Sequence, residues 1–225
     1  MRILIQARMN SRRLPGKVLK KINNIEMLLW TINRLKILNN ILKLAVITSK
    51  EFSDDPIENF CKDNCVDIYR GSLNNVAERF VAACDFFKVD SFVRICGDSP
   101  FIDPSIVSEA VDIFSSSNFD LVTNVQKRTF PKGQSVEVVK LDTIKRVINS
   151  NNLTCEHLEH PTKLIYEYPD LFRIKNFECD KPDLGEKQLS IDLYQDYILA
   201  NKIASSNELL SLSWYDILNL YTKMS

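Results

Sequence analysis

The chain has 225 residues, 45% hydrophobic and 26% charged, ordinary values for a folded domain in water. Its 29 Lys and Arg balance 29 Asp and Glu, which argues against a surface built to coat nucleic acid. No apolar run reaches the length of a membrane span, no signal-peptide pattern opens the chain and no two of the six Cys form a C-x-x-C pair, so the expectation is a cytoplasmic protein with reduced thiols and no structural zinc.

In chain order, RILIQA reads as a buried strand. The next stretch, QARMNSRRLPGKVL, holds Arg8, Arg12, Arg13 and Lys17, and no acid appears until Glu26. Met27, Leu28, Ile32, Leu35 and Leu38 then recur at helical spacing, and KLAVITS is a second strand. SDDPIENFCKDN opens with Ser53 as a candidate N-cap and Pro56 near the start of a helix. VDIYR is a third strand, SLNNVAERFVAACDFF an amphipathic helix, DSFVRIC a fourth strand, and DPSIVSEAVDIFSS a helix capped by Asp103 with Pro104 first inside it. This alternation, with strands apolar throughout, predicts an α/β sandwich on a mostly parallel sheet.

Beyond residue 120 the pattern loosens. DLVTNV, QSVEVVKL, LFRIKNF and QLSID read as strands; LDTIKRVINS, TCEHLEHPTKLIYEYP, LYQDYILANKIASS and WYDILNLYTKM read as helices. One domain over 1–225 is expected, with roughly 123–187 as an insertion projecting from its core.

Ligands of open α/β sheets bind outside the carboxyl ends of the strands, and four unusual loops start there. The basic loop suits a polyanion, since each Lys or Arg near a phosphate is worth roughly 4 kcal/mol of Coulomb energy at an effective dielectric of 20, before desolvation. Gly16 would let backbone N–H groups face the ligand; a solvated basic turn is the competing reading, and the P-loop pattern is absent. Asp98 follows Gly97 at the end of a strand and reads as a Mg²⁺ ligand or a turn cap, with Asp103 the better cap. Asp192 reads equally as a helix cap or a metal ligand, and Asp196 as a first-turn charge. Arg70, Gly71 and Ser72 turn toward a helix N-terminus, either to meet a base or sugar or simply to cap it. His157 and His160 are open between structural and substrate-binding roles.

Together these residues resemble a family. Gln6-Ala7-Arg8-x-x-Ser11-x-Arg13-Leu14-Pro15-Gly16-Lys17 is similar to the signature loop of the cytidylyltransferases that make CMP-activated acidic sugars, above all the spore coat polysaccharide biosynthesis protein F group. DDPI, RGS, RICGDSPFIDP, FPKGQSVEV, EHPT, FRI and SIDLYQD continue the resemblance in order along nearly the whole chain. It implies a nucleotide-diphospho-sugar transferase (GT-A-like, Rossmann-like) α/β/α fold, usually homodimeric, that takes CTP and an acidic sugar with Mg²⁺. It further implies that Ala7, Arg8, Ser11, Arg13, Lys17, Arg70, Gly71, Ser72 and Gly97 surround the nucleotide and that Asp98 and Asp192 hold the metal. Asn124, Gln134, Glu137, Glu159 and His160 would then face the sugar, and Arg8, Lys17 and Asp98 would carry catalysis. The chain departs from the pattern at Asn10 (often Gly), Arg12 (often Thr), at DLYQD, which lacks a Pro, and at Ser135, where Gly-x-Asp-Val-Glu is usual. The last change falls near the acceptor.

Three rivals remain at this level: a glycosyltransferase of related architecture, a nucleotidyltransferase for another NTP, and a non-catalytic nucleotide-binding scaffold. The clustered cations of the first loop favour a triphosphate over a diphosphate-sugar.

Overall fold

A computed structural model describes residues 1–150, 153–181, 184–204 and 209–224. Its centre is a seven-stranded sheet in the order β5-β4-β1-β6-β8-β7-β9, from β1 (Arg2–Gln6), β4 (Leu44–Ser49), β5 (Ile68–Gly71), β6 (Ser91–Cys96), β7 (Leu121–Thr123), β8 (Glu137–Lys140) and β9 (Ile174–Asn176). The pairs β1–β4, β1–β6, β4–β5 and β7–β9 are parallel, and β8 runs antiparallel to both neighbours. The sheet is therefore mixed and mostly parallel, as the alternation of elements predicts.

Period-two alternation splits the core between the two faces of the sheet. Ile3, Ile5 and Val46 pack on one face with α1 (Met27–Leu35), α4 (Pro104–Ser116), α8 (Tyr194–Ala204) and α9 (Trp214–Met224). Leu4, Ala45 and Ile47 pack on the other with α3 (Val76–Phe87), α5 (Leu141–Ile148) and α7 (Lys163–Glu167). A fully buried Leu or Ile in either layer is worth roughly 1.5–3 kcal/mol. Caps fix the helix starts: Asn75 accepts the Glu78 N–H for α3, and Asp103 accepts the Ser105 N–H for α4, with Pro104 just inside.

Four sequence expectations are corrected. Ser53 does not cap its helix: a 3₁₀ turn (Phe52–Asp54) precedes α2 (Asp55–Asp63), whose N-cap is Asp54. TCEHLEHPTKLIYEYP is two short helices, α6 (Cys155–Glu159) and α7, because Pro161 keeps His160 out of helical geometry, at φ −120° and ψ 82°. QLSID forms no strand. Gly133, at φ +99°, lets Lys132 O accept the N–H groups of Leu189 and Ser190 instead, and a Cβ on Gly133 would sit 2.4 Å from Ser190 N. The stretch 123–187 is not a mere projection, since it supplies β8 and β9 to the central sheet. A hairpin of β2 (Lys21–Ile22) and β3 (Ile25–Glu26) is additional; Asn23 and Asn24 make its turn at positive φ.

Candidate active site

Because β1, β4, β5 and β6 are parallel, their carboxyl ends share one edge of the sheet, and the loops after them meet there. The loop after β1 folds on itself. Gly16, at φ +67°, donates its N–H to Met9 O at 2.9 Å, as does Ser11, and Leu14 N–H reaches Ser11 Oγ at 3.4 Å. Asp54, 1% exposed at the start of α2, braces the same loop by accepting the N–H groups of Met9 (2.7 Å) and Ser49 (3.2 Å) and the Ser49 hydroxyl. Asp54 was legible only as part of the DDPI resemblance; its bracing role is a product of the fold.

This loop walls a cavity of about 500 Å³. Ala7, Arg8, Ser11, Arg13 and Lys17 line one side, and Asp98, Asp192, Glu159 and His160 line the other. Nine of the sequence-proposed residues thus converge, and Arg12, read as a surface charge, lies on the rim with them.

Lys17 is the hub. Its side chain is 9% exposed, and Nζ donates to Asp98 Oδ2 (2.6 Å), Asp192 Oδ1 (2.8 Å) and Ile191 O (3.0 Å). Burial alone would lower the Lys17 pKa, but the two carboxylates outweigh it and hold the ammonium above its ordinary value. Burial likewise pushes Asp192 up, and the Lys17 hydrogen bond with the charges of Lys17 and Arg13 brings it below the usual carboxylate range. Asp192 is thus no helix cap. Asp196 holds its turn instead, accepting the N–H groups of Asp192 (2.9 Å) and Leu193 (2.8 Å). Arg13 pairs with Asp192 at 2.8 Å and Arg8 with Glu159 at 3.1 Å. The protein itself therefore supplies counter-charge to the basic loop, from carboxylates 81 to 179 residues away.

The remaining expected residues stand elsewhere. Arg70 is tied to Asp55, Glu58 and the carbonyls of Ser49 and Glu51, pinning β5 to α2. Gly71 makes room for buried Arg79, whose Cγ would lie 2.8 Å from a Cβ there, and Ser72 O accepts from Arg79. Gly97 packs on β1, its N–H on Gln6 O at 2.8 Å. Asn124 and Gln134 are fully buried and spend their amides on backbone: Asn124 on Gln134 O and Val136 N, Gln134 on Phe101 O and Asp103 N. None of these six lines the first cavity.

Glu137 faces a second cavity of about 240 Å³, which shares the Arg94 and Cys96 walls with the first. It ion-pairs with Arg94 and accepts the Tyr166 hydroxyl at 2.5 Å. Burial would raise its pKa; the Arg94 charge, with hydrogen bonds from Tyr166, Thr162 and Arg94, lowers it.

A solved structure of a cytidylyltransferase from Leptospira borgpetersenii superposes with a TM-score of 0.92 at 30% identity, over 99% of this chain and 94% of that one. The CTP complex of CMP:2-keto-3-deoxy-manno-octonic acid synthetase shares the fold at TM-score 0.67 and 16% identity, over 91% of this chain and 98% of that one. The fold is that of nucleotidyltransferases. The cytidylyltransferase family model matches residues 2–206, and the Bacillus subtilis spore coat polysaccharide biosynthesis protein SpsF is 30% identical over 86% of this chain and 82% of its own. The chain belongs to the cytidylyltransferase family and is a nucleotidyltransferase.

Proposed function

We propose that the protein transfers CMP from CTP to an acidic sugar of the sialic, legionaminic, pseudaminic or Kdo type, releasing pyrophosphate, for polysaccharide or glycan synthesis. The observation that carries this reading is the convergence of Lys17, Asp98 and Asp192 in one cavity beside Arg8 and Arg13. Supporting it, a solved structure of the same fold is a complex with CTP, and another relative is a 3-deoxy-manno-octulosonate cytidylyltransferase, 25% identical over 66% of this chain.

In this reading an acceptor hydroxyl attacks the α-phosphorus in line and pyrophosphate departs. Arg8, Arg13 and Lys17 bind the triphosphate and neutralise charge that grows on the leaving oxygens, and Ser11 orients it. To do so, Arg8 and Arg13 exchange their carboxylate partners for phosphate oxygens, so substrate binding is an exchange of ion pairs. His160, kept out of the helix by Pro161, faces the incoming acceptor from the opposite wall.

The carboxylates fit Mg²⁺. A single cation, the Lys17 ammonium, already lies within 2.8 Å of both Asp98 and Asp192, and Mg²⁺ commonly takes one or two carboxylates plus phosphate oxygens and water. Among the described residues no group of three His, Cys, Asp or Glu gathers as an all-protein metal cage. When bound there, the metal would polarise the phosphate and lower the pKa of a nearby hydroxyl. A homodimer belongs to the same reading and is tested by light scattering.

Pyrophosphate release from a panel of NTPs with each sugar acid tests the proposal. Turnover with CTP and an acid is expected; turnover with another NTP alone, or none beside tight CTP binding, sinks it.

A further inference from the structure

Among the described residues, the second cavity contains one cation whose charge no carboxylate cancels. Arg94 is paired with Glu137, and Lys163 with both Glu156 and Glu167. Arg128 lines the same cavity, half-buried, and its guanidinium donates to the Ser135 hydroxyl at 3.0 Å. Among the described residues no carboxylate lies within ion-pair distance of it. Its backbone is held in place: Lys127 N–H donates to Asn176 Oδ1 at 3.1 Å, and Gly185 packs so closely that a Cβ there would lie 2.4 Å from Arg128 O.

We propose that Arg128 binds the carboxylate of the acceptor in this cavity, and that Ser at position 135 leaves it free to do so. The proposal rests on the cytidylyltransferase reading and deepens it by assigning the residue that selects an acidic acceptor. A hydroxyl partner uses one guanidinium N–H and leaves the charge uncancelled, and a carboxylate takes the remaining donors as charge-assisted, bidentate hydrogen bonds. An aspartate at position 135 would bring a carboxylate to the same nitrogen and consume that charge internally. The cavity adjoins the phosphate-loop cavity across Arg94 and Cys96, so an acceptor held at Arg128 can extend toward the nucleotide.

The test uses the full chain with CTP and Mg²⁺, reading pyrophosphate release. The probes are 3-deoxy-manno-octulosonate and N-acetylneuraminate, each as the free acid and as its methyl ester, and CTP binding is measured separately by calorimetry. Wild type is expected to prefer acid over ester. Arg128→Gln and Ser135→Asp are each expected to lower kcat/KM for the acid about 30-fold or more, the low end for losing one partner of a charge pair. Ester turnover and CTP affinity stay as in wild type, which separates lost recognition from lost folding. Variants that keep the acid preference, or a CTP-binding wild type that uses esters as well as acids or uses neither acid, overturn the assignment and leave the nucleotide reading standing. Failure of wild type to bind CTP overturns both.

Discussion

Lys17 Nζ lies 2.6 Å from Asp98 Oδ2, joining the loop after β1 to the loop after β6 across 81 residues of sequence. Asp192 completes the bridge from the segment that precedes α8. Three distant parts of the chain meet at one ammonium, so this contact is both an element of the fold and the centre of the proposed nucleotide site. The two roles predict different readouts.

Lys17→Ala should abolish turnover and also destabilise the protein, because Asp98 would face Asp192 with no cation of its own and Asp192 would keep only the exposed Arg13. The expected cost is about 1–3 kcal/mol, kept below the fully buried range since both carboxylates touch solvent. Thermal melts should show Mg²⁺ stabilising the variant more than wild type. An unchanged melting temperature together with unchanged pyrophosphate release would remove Lys17 from both roles.

Asp98→Asn should fold and still lose about 10²–10³ of kcat, the scale for removing one strong electrostatic stabiliser. Mg²⁺ titration of the residual activity should show a weaker apparent affinity, and Asp192→Asn should behave alike. If either variant kept wild-type Mg²⁺ dependence, the carboxylate would be a partner of Lys17 alone.

The strands and helices of the first 120 residues were legible because their apolar periodicity reports burial directly. Asp98 was legible for a related reason: Asp103 before Pro104 already explained the cap, leaving Asp98 for chemistry. The failures share one cause. Asn124 and Gln134 look like ligand-binding amides in a sequence, but only the fold shows that backbone groups use them up. Arg70 likewise reads as part of a turn that meets a base or sugar until α2 places Asp55 and Glu58 against it. Long-range pairing also hid the counter-charges of Arg8, Arg13 and Lys17, which lie far away in sequence. Asp192 reads in the sequence as the end of a strand, whereas the backbone crossing at Gly133 positions it.

Acid should destabilise the fold through Glu137 and Asp192. Both carboxyls are held below their ordinary pKa in the folded chain, by Arg94, Tyr166 and Thr162 in one case and Lys17 and Arg13 in the other. A depressed folded pKa contributes stability that is present above the unfolded value, about 4, and is lost as pH falls through the folded one. Urea midpoints should therefore drop between about pH 5 and about pH 3. Glu137→Gln should be less stable than wild type at neutral pH and show a flatter fall; a variant curve parallel to wild type would contradict the linkage.

Thiol labelling should divide the cysteines by burial. Cys65 and Cys155 are exposed and should react with a maleimide in the native state. Burial pushes the Cys61 and Cys84 thiols up to about 12, so both should label only on unfolding. Cys96, between the two cavities, is raised to about 11, first by burial and against the opposing charge of Arg94, and should label slowly. Mass spectrometry after timed labelling checks the order, and early modification of Cys84 would contradict the packing of α3.

Asp54→Ala should damage the nucleotide site without touching it. Asp54 lines no wall of the phosphate cavity, yet it holds the Met9 N–H at the start of the basic loop and the Ser49 N–H at the end of β4. Removing its carboxylate leaves the buried Ser49 N–H and the partly buried Met9 N–H without this partner, at a cost of about 2–4 kcal/mol. The loop that carries Arg8, Ser11 and Arg13 then loses its brace, so KM for CTP should rise more than kcat falls. Asp54→Asn keeps one acceptor oxygen and should fall between wild type and Asp54→Ala in both melting temperature and KM. An Asp54→Ala protein that melts lower but keeps the wild-type KM would show that Asp54 supports the fold and not the loop.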